Sequence, residues 1–284
     1  MNIEKNIFRE RSFCLNLVAT IGWLGGCILL ASPISDPRLP QIGNRRIAGK
    51  EKSEQNHFFS VPSEFQGKVI RQVNLNDSRK VIALTFDDGP WLLTTPQVLA
   101  ILKENNIKAT FFWIGQHLKS YPVVARQVVA EGHAIGNHTW HHWYSHLNRA
   151  VAAAEIEKTS DLIYQTTNVK TFLFRPPGGI LNNGVAAYAR HQHYATILWS
   201  VDPRENDRKL SASDLVENAT RAARPGGIIL LHDLHPKTVE ALPQIVAELK
   251  KQGYQFVTVP ELLEMQAIAD RSPAETGKDK LKFK

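Results

Sequence analysis

The sequence has very little cysteine and no concentrated excess of charge. Among 284 residues it contains two cysteines, Cys14 and Cys27, both in the apolar N-terminal stretch. A disulfide framework or a cysteine-ligated metal site in the main body is therefore excluded. Basic residues outnumber acidic ones by 34 to 27, but the excess is spread along the chain. Because nucleic-acid-binding proteins concentrate positive charge on one face or helix, no nucleic-acid partner is expected.

Long hydrophobic runs are also scarce, with the exception of residues 13–31, which carry no charge. A run of this length is sufficient to cross a membrane as a helix. Lys5, Arg9 and Arg11 precede it and favour a cytoplasmic N-terminus. We therefore predict a cytoplasmic segment over 1–12, a single-pass membrane anchor over 13–31 and an exported body.

Two other interpretations of this apolar segment stay open. A long signal peptide would be cleaved near Ser32 and would release the body as a secreted protein. A lipoprotein cleavage box at residues 24–27 fits less well, because the apolar run continues past Cys27.

The rest of the chain divides into a linker, one domain and a tail. Residues 32–78 contain four prolines and several polar clusters, which is typical of a linker. From 79 to 265 short apolar runs alternate with helical patterns, which indicates a folded domain. The mostly polar residues 266–284 predict a solvated tail.

Within the domain, predicted strands and helices alternate. The strands are predicted at 81–85, 109–114, 133–136, 171–174, 194–199, 228–231 and 255–258. The helices are predicted at 96–105, 122–131, 150–166, 185–191, 213–223, 239–252 and 260–266. This alternation predicts an α/β fold, in which right-handed crossovers wind a mostly parallel sheet into a barrel or a doubly wound sheet. In either architecture the active site lies at the carboxyl ends of the strands.

Polar side chains of the types that act in catalysis or bind metals follow five of the predicted strands. They are Asp87 and Asp88, His138 and His142, Arg175, Asp202, and His232. Because the carboxyl ends of parallel strands share one edge of a sheet, we expect these side chains to converge.

Asp88, His138 and His142 form a candidate metal-ligand set. The two histidines are four residues apart, so on a helical turn both rings would lie on one face. Two imidazoles and one carboxylate suit a first-row divalent cation and leave open positions for catalysis. Plainer interpretations stay open, in which Asp87 and Asp88 belong to an ordinary turn and the histidines are an inert surface cluster.

The remaining candidates suit acid–base chemistry. Asp87 would take a proton from a metal-bound water, and Arg175 would hold Asp87 ionised. His232 would protonate a leaving nitrogen, and Asp202 would orient its ring. It stays open whether His232 is instead a core histidine and Arg175 part of a structural ion pair.

Together these motifs resemble the NodB-homology polysaccharide deacetylases, carbohydrate esterase family 4. The motifs in order are Thr-Phe-Asp-Asp-Gly-Pro at 85–90, His-Thr-Trp-His-His at 138–142, Arg-Pro-Pro at 175–177, Asp202, and Leu-Leu-His at 230–232. The resemblance covers residues 79–265. It implies a distorted (β/α) barrel of mostly parallel strands and a monomeric catalytic domain.

The resemblance also implies a role for each candidate residue. The three ligands would hold Zn²⁺ or another divalent metal such as Co²⁺. Asp87 would be the general base, tethered by Arg175, and His232 the general acid. Leu230 would face the acetyl methyl group, and the Gly178 N–H would face the oxyanion. The implied substrate-binding residues are Pro177, Gly178, Leu230 and Trp199.

Two positions depart from the family pattern. Gly178 stands where tyrosine is common, so a sugar-facing ring is missing and the loop is freer. Asn206 stands where tryptophan is common, and Trp199 or Trp140 is expected to supply the lost wall of the acetyl pocket. We expect these changes to affect substrate preference and rate rather than metal binding.

The sequence therefore predicts a metal-dependent hydrolase that removes N-acetyl groups from a glycan containing N-acetylglucosamine, such as peptidoglycan or chitin. Three alternatives stay open. One is an esterase that removes O-acetyl groups from xylan or another polysaccharide. Another is a catalytically silent glycan-binding protein. The third, an iron oxygenase with a two-histidine, one-carboxylate site, fits the ligands but not the alternating strands and helices.

Overall fold

The computed structural model describes residues 58–59, 61–75 and 79–271. In these ranges the strands are β1 Phe58–Phe59, β2 Val69–Ile70, β3 Val81–Asp87, β4 Thr110–Trp113, β5 Ala134–Asn137, β6 Lys170–Thr171, β7 Leu173–Phe174, β8 Ala195–Ile197, β9 Gly227–His232 and β10 Gln255–Phe256. The helices are α1 Thr94–Glu104, α2 Gly115–Ser120, α3 Pro122–Ala130, α4 Arg149–Thr167, α5 Val185–His191, α6 Ala212–Ala222, α7 Pro236–Lys251 and α8 Val259–Arg271. Short 3-10 turns lie at Ser63–Phe65 and Pro177–Gly179.

The main sheet is parallel and strongly curled. Its strands follow the order β10-β3-β4-β5-β7-β8-β2, and β9 pairs with the other side of β3. A parallel bridge between Val201 and Ile229 joins the segment after β8 to β9. The sheet therefore curls into a half-barrel with helices around it, and the predicted distorted (β/α) barrel is confirmed. Strands β1 and β6 pair separately, also in parallel.

Two apolar layers hold the curled sheet together. Successive residues of a strand face opposite sides, and every residue of β3 is buried. Ile82, Leu84 and Phe86 face outward and pack with buried residues of α1, α3, α6 and α7. Val81 and Ala83 face inward and pack with buried residues of β8 and α8. Burial on both faces explains why the strand is a continuous apolar run.

The same alternation places functional groups inside the barrel mouth. Thr85 and Asp87 continue the inward row of β3 past the apolar layer. On β9, Leu230 and His232 occupy the equivalent row. Asp87 and His232 are direct partners in the parallel register of the two strands. Two strands therefore deliver one carboxylate and one imidazole to the same end of the barrel.

The domain is larger than the sequence predicted. Strand β2 pairs with β8, and Val61, Phe65 and Val73 are buried, so residues 61–75 belong to the domain and not to a linker. Their apolar side chains pack against the sheet edge and α8. At the other end α8 buries Ala267, so the domain also continues past residue 265 into the predicted tail.

Several predicted segments lie outside the described residues. They are the cytoplasmic segment at 1–12, the apolar segment at 13–31, the first part of the linker, and the tail after residue 271. Among the residues that the structure describes, no helix has the length and apolar character needed to cross a bilayer.

Candidate active site

Three side chains converge at the mouth of the barrel. Asp88 directly follows β3, and its Oδ1 lies 3.4 Å from Nε2 of His138 and 3.2 Å from Nε2 of His142. One ligand atom from each residue lies within 4.8 Å of the others. Asp88 Oδ1 is buried and accepts no hydrogen bond. The three side chains thus meet as the sequence predicted, and an unpaired carboxylate oxygen faces both imidazole rings.

The spacing and the donor set fit a divalent cation. Ligand atoms about 2.0–2.2 Å from a tetrahedral cation lie roughly 3.3–3.6 Å from one another, close to the two distances from Asp88. His138 Nδ1–H donates to the carbonyl of Arg175 at 2.7 Å, which leaves Nε2 to face the cluster. Hydrogen bonds of this kind fix the tautomer of metal-binding histidines. These residues therefore form a candidate site for a divalent metal with an open coordination position.

The two candidate ligand histidines lie on a loop between β5 and α4, and the predicted helical turn is wrong. Thr139 and His142 both have left-handed backbone, with φ of 69° and 62°. The loop is folded by side-chain acceptors, because Asn137 Oδ1 accepts from Thr139 N–H and Thr139 Oγ1 accepts from His142 N–H. His141 turns away from the cluster, as expected, and its Nδ1 bonds Glu155 at 2.5 Å.

Burial and neighbouring charges shift the pKa values of the three clustered side chains in different directions. Burial would raise the pKa of Asp88, but the close contact with His138 and the charge of its ring hold that pKa well below its usual range. Burial would lower the pKa of His138, but the charge of Asp87 and the close contact with Asp88 raise it. Burial and the charge of His138 lower the pKa of His142 to about 4. A cation that binds here would compete with protons for both histidines, because an imidazole binds a metal in its neutral form.

Arg175 anchors Asp87 beside the cluster. The guanidinium is fully buried, and its Nη1 donates to Asp87 Oδ1 at 2.7 Å and to Thr85 Oγ1 at 2.8 Å. Its Nε and Nη2 donate to the carbonyls of Ile197 and Leu198. The other carboxylate oxygen of Asp87, Oδ2, lies 3.7 Å from Nε2 of His138. Asp87 is thus held by one oxygen and presents the other to the cluster.

His232 ends β9 next to Asp87 at the end of β3, and its hydrogen-bond partner is Glu205. His232 Nδ1 is 2.8 Å from Glu205 Oε2, and the Glu205 side chain is buried. The prediction that Asp202 orients His232 is wrong. Asp202 is exposed, and its Oδ1 accepts from the N–H of Arg204 at 2.8 Å. This turn directs Asp202 into solvent and brings Glu205 inward three residues later.

The surroundings of His232 favour its protonated form. Burial would lower the pKa of His232, but the hydrogen bond to Glu205 and the charges of Asp87 and Asp88 raise it to about 9. At neutral pH the ring is therefore a cation. Because Nδ1 is engaged by Glu205, Nε2–H is the donor available to a ligand in the mouth.

A further buried carboxylate, that of Asp233, packs against the loop that follows Asp88. Its Oδ2 accepts from Thr95 Oγ1 at 2.6 Å, and burial raises its pKa to about 7. A Cβ atom on Gly89 would lie only 2.3 Å from Asp233 Oδ2. Only glycine therefore fits between Asp88 and Asp233. No role was predicted for Asp233 from the sequence, although it directly follows His232 at the end of β9.

The residues expected to bind substrate line one side of the mouth. Leu230 lies on the inward row of β9 and is 6% exposed. Pro177 is buried in the short turn that follows β7, and Gly178 is exposed at its tip. Trp199 packs against the same turn, because a Cβ on Gly179 would lie 2.9 Å from its ring. The four predicted residues are thus near the mouth, and their contacts with substrate stay a prediction.

The chain is similar to enzymes that deacetylate bacterial cell walls. A family model described as polysaccharide deacetylase matches residues 74–197. A peptidoglycan-N-acetylglucosamine deacetylase of Bacillus cereus is 41% identical over 197 residues, which are 66% of this chain and 90% of that protein. The chain belongs to the polysaccharide deacetylase family. The predictions of the family and of a hydrolase class are therefore confirmed.

Solved structures of other polysaccharide deacetylases share the fold. Peptidoglycan deacetylase PdaC from Bacillus subtilis superposes with a TM-score of 0.63 at 35% identity, over 68% of this chain and 94% of that one. The present chain spans 44% of the full PdaC protein. A family 4 pseudoenzyme from Bacillus anthracis superposes with a TM-score of 0.64 at 30% identity, over 69% of each chain. The fold of a polysaccharide deacetylase is thus found in active and inactive members alike.

The structure shows the surroundings of Asn206 and of the two tryptophans that were expected to replace the tryptophan missing there. Asn206 is exposed, and its Oδ1 lies 3.2 Å from His235 Nε2. Trp140 packs over Gly115, with the ammonium group of Lys158 3.8 Å from its ring centre. Of the two tryptophans expected to replace the lost wall, Trp199 is therefore the one beside the Pro177–Gly179 turn.

Proposed function

We propose that this protein removes N-acetyl groups from a polysaccharide that contains N-acetylglucosamine, with peptidoglycan as the first candidate. The observation that carries the proposal is the arrangement of Asp87 and His232. A carboxylate held by Arg175 and an imidazolium held by Glu205 end neighbouring strands beside one candidate metal site. A base and an acid near one electrophilic centre are what hydrolysis of an amide requires.

We propose Zn²⁺ as the cation, held by Asp88, His138 and His142. Two imidazoles and a carboxylate are a common ligand set of hydrolytic zinc sites, and Co²⁺ can occupy similar sites. When bound, the cation would polarise the acetyl carbonyl and lower the pKa of a nearby water molecule. The contact between His138 Nδ1 and the carbonyl of Arg175 supports this assignment, because it leaves Nε2 to face the cluster.

The side chains of the protein then supply the proton transfers. Oδ2 of Asp87 takes a proton from the attacking water, while Arg175 keeps the carboxylate in place. The N–H of Gly178 faces the charge that develops on the carbonyl oxygen. Nε2–H of His232 gives its proton to the nitrogen as the carbon–nitrogen bond breaks. The products are acetate and a free amino group on the sugar, so atoms and protons balance.

The apolar side chains at the mouth would bind the acetyl group. Trp199 lies beside the turn that carries Gly178, and Leu230 lies on the inward row of β9. A methyl group gains roughly 0.8 kcal/mol from burial against such surfaces. Pro177 restricts the backbone of this turn, which keeps the donor and the wall in fixed relation.

Release of acetate from a panel of glycans tests the proposal. We expect release from peptidoglycan or from N-acetylglucosamine oligomers, loss of release with chelator, and loss of turnover in Asp87→Asn with cation binding retained. Faster release from O-acetyl xylan than from any amide would favour the esterase alternative. Tight glycan binding without release in the presence of Zn²⁺, Co²⁺ or Ni²⁺ would favour a silent protein, as in the pseudoenzyme relative.

We also propose that the catalytic domain acts outside the cytoplasm as a monomer attached to the membrane. The support is the uncharged run at 13–31 behind Lys5, Arg9 and Arg11. We expect the full chain to sediment with membranes and to be accessible to protease added outside the membrane. Recovery of the intact chain in the cytoplasmic fraction would contradict this proposal.

A further inference from the structure

An exposed aromatic ring, that of Tyr144, lies at the edge of the candidate site, beside His142 and Gly178. Tyr144 is 59% exposed, and its ring meets the ring of His142 edge to face at 5.1 Å. Next to this ring, Gly178 has left-handed backbone with φ of 59°. A Cβ on Gly178 would lie 2.9 Å from Cε1 of Tyr144. The tyrosine ring thus covers the backbone of Gly178 and occupies the space that a side chain there would need.

The Tyr144 ring is held in place by its neighbours although it does not belong to the hydrophobic core. His142 and Gly178 restrict the ring on two sides, while more than half of the side chain stays in solvent. A ring restricted before binding loses little conformational entropy when a ligand packs on it. Its flat apolar surface complements the C–H face of a pyranose ring.

The neighbouring aromatic residue is differently placed. Trp143 is 43% exposed, but its ring stacks flat on His141 at 4.2 Å, with an angle of 4° between the planes. His141 in turn is fixed by Glu155, away from the cluster. One face of Trp143 is therefore already covered by a side chain that points away from the site. Of these two adjacent rings, only Tyr144 contacts a candidate metal ligand.

We propose that Tyr144 and Gly178 together form a sugar-binding platform, on which the pyranose ring that carries the reacting acetamide group rests. The inference builds on the proposed function and adds a binding residue to it. Gly178 has a specific part in the platform, because any side chain there would displace the tyrosine ring. The ring that the Arg-Pro-Pro turn lacks is thus supplied by the loop that carries His142.

Steady-state kinetics on N-acetylglucosamine oligomers separate binding from chemistry. In Tyr144→Ala we expect KM to rise about three- to tenfold with kcat within about twofold, from the usual energy of an aromatic contact. Tyr144→Phe keeps the ring and should stay near the wild-type KM. Trp143→Ala is the matched control and should also keep the wild-type KM. Zn²⁺ titration of each variant should give the wild-type affinity, which checks that His142 is undisturbed.

A double-mutant cycle tests the pairing with Gly178. Gly178→Ala alone should raise KM, because its Cβ displaces the ring, and should have little further effect in the Tyr144→Ala background. Additive effects would overturn the pairing. Unchanged KM in Tyr144→Ala, or a loss of Zn²⁺ affinity that accounts for the whole effect, would overturn the platform.

A binding measurement keeps this inference distinct from the proposed function. Calorimetry with an N-acetylglucosamine oligomer in the Asp87→Asn background reports affinity without turnover. Weaker binding in Tyr144→Ala than in Trp143→Ala would support the platform even if the wild-type protein released no acetate. Equal binding by the two variants would overturn it even if the wild-type protein were an active deacetylase.

Discussion

The contact between Glu205 and His232 gives the most discriminating prediction about the proton transfers. Glu205→Gln removes the charge that faces His232 Nδ1 at 2.8 Å but preserves the shape of the side chain. The pKa of His232, raised to about 9 in the intact site, depends on this hydrogen bond and on the charges of Asp87 and Asp88. Loss of one buried, opposite charge at this distance should lower that pKa by about 1–2 units.

The expected change lies on the alkaline side of the pH profile. A general acid works only when protonated, so activity that depends on His232 is present below its pKa and is lost as pH rises through it. Glu205→Gln should therefore move the alkaline limb of kcat/KM to lower pH by about 1–2 units. A bound cation adds positive charge in both proteins, so the difference between their limbs is the quantity to compare.

Asp202→Asn is the matched control, because Asp202 is the exposed carboxylate that the sequence favoured as the partner of His232. Its side chain accepts a hydrogen bond from the backbone N–H of Arg204. Its substitution should therefore leave the pH at which kcat/KM falls on the alkaline side unchanged. The profile would be measured on a soluble N-acetylglucosamine oligomer with saturating Zn²⁺. An unchanged limb in Glu205→Gln, or an equal shift in Asp202→Asn, would refute the reasoning.

Two further predictions concern stability. Arg175→Met leaves the buried Asp87 without its cation and should lower the free energy of unfolding by about 3–5 kcal/mol in chemical denaturation, whereas Arg204→Met, in an exposed pair, should cost at most about 1 kcal/mol. Similar losses in both variants would contradict the importance of burial. Gly89→Ala places a methyl group against Asp233 Oδ2 and should cost about 1–3 kcal/mol and also weaken Zn²⁺ binding through Asp88, as measured by denaturation and titration. Wild-type stability and affinity in this variant would contradict the close contact.

The sequence predicted the candidate site well where a residue directly follows a buried strand. Asp87 and His232 end β3 and β9, whose alternation fixes which side chains face inward. Arg175 directly follows β7, where its side chain enters the barrel. For such residues the strand pattern determines the position, and the shared edge of a parallel sheet determines the neighbours.

The sequence predicted poorly what depends on loop conformation. His138 and His142 were expected on a helical turn, but two left-handed residues and side-chain acceptors shape the loop instead. Asp202 and Glu205 are both acidic residues after β8, and only the turn between them determines which one reaches His232. No local pattern distinguishes two carboxylates three residues apart on an irregular segment.

Edge strands were a second source of error. Strand β2 has two residues and lies in a proline-containing segment, so its composition indicates a linker. Its pairing with β8 depends on how far the sheet curls, which is a property of the whole barrel. The extension of α8 to Arg271 has a similar origin, because Ala267 is buried by tertiary contacts rather than by a strong local pattern.

The central claim is that Asp88, His138 and His142 hold one divalent cation on which deacetylation depends. Its most direct test follows acetate release from peptidoglycan while Zn²⁺ is titrated into metal-free protein. We predict a rate that rises to a plateau at about one Zn²⁺ per chain, and no release from His142→Ala at the same Zn²⁺ concentration. Full activity of the metal-free protein, or the same titration curve from His142→Ala, would contradict the account.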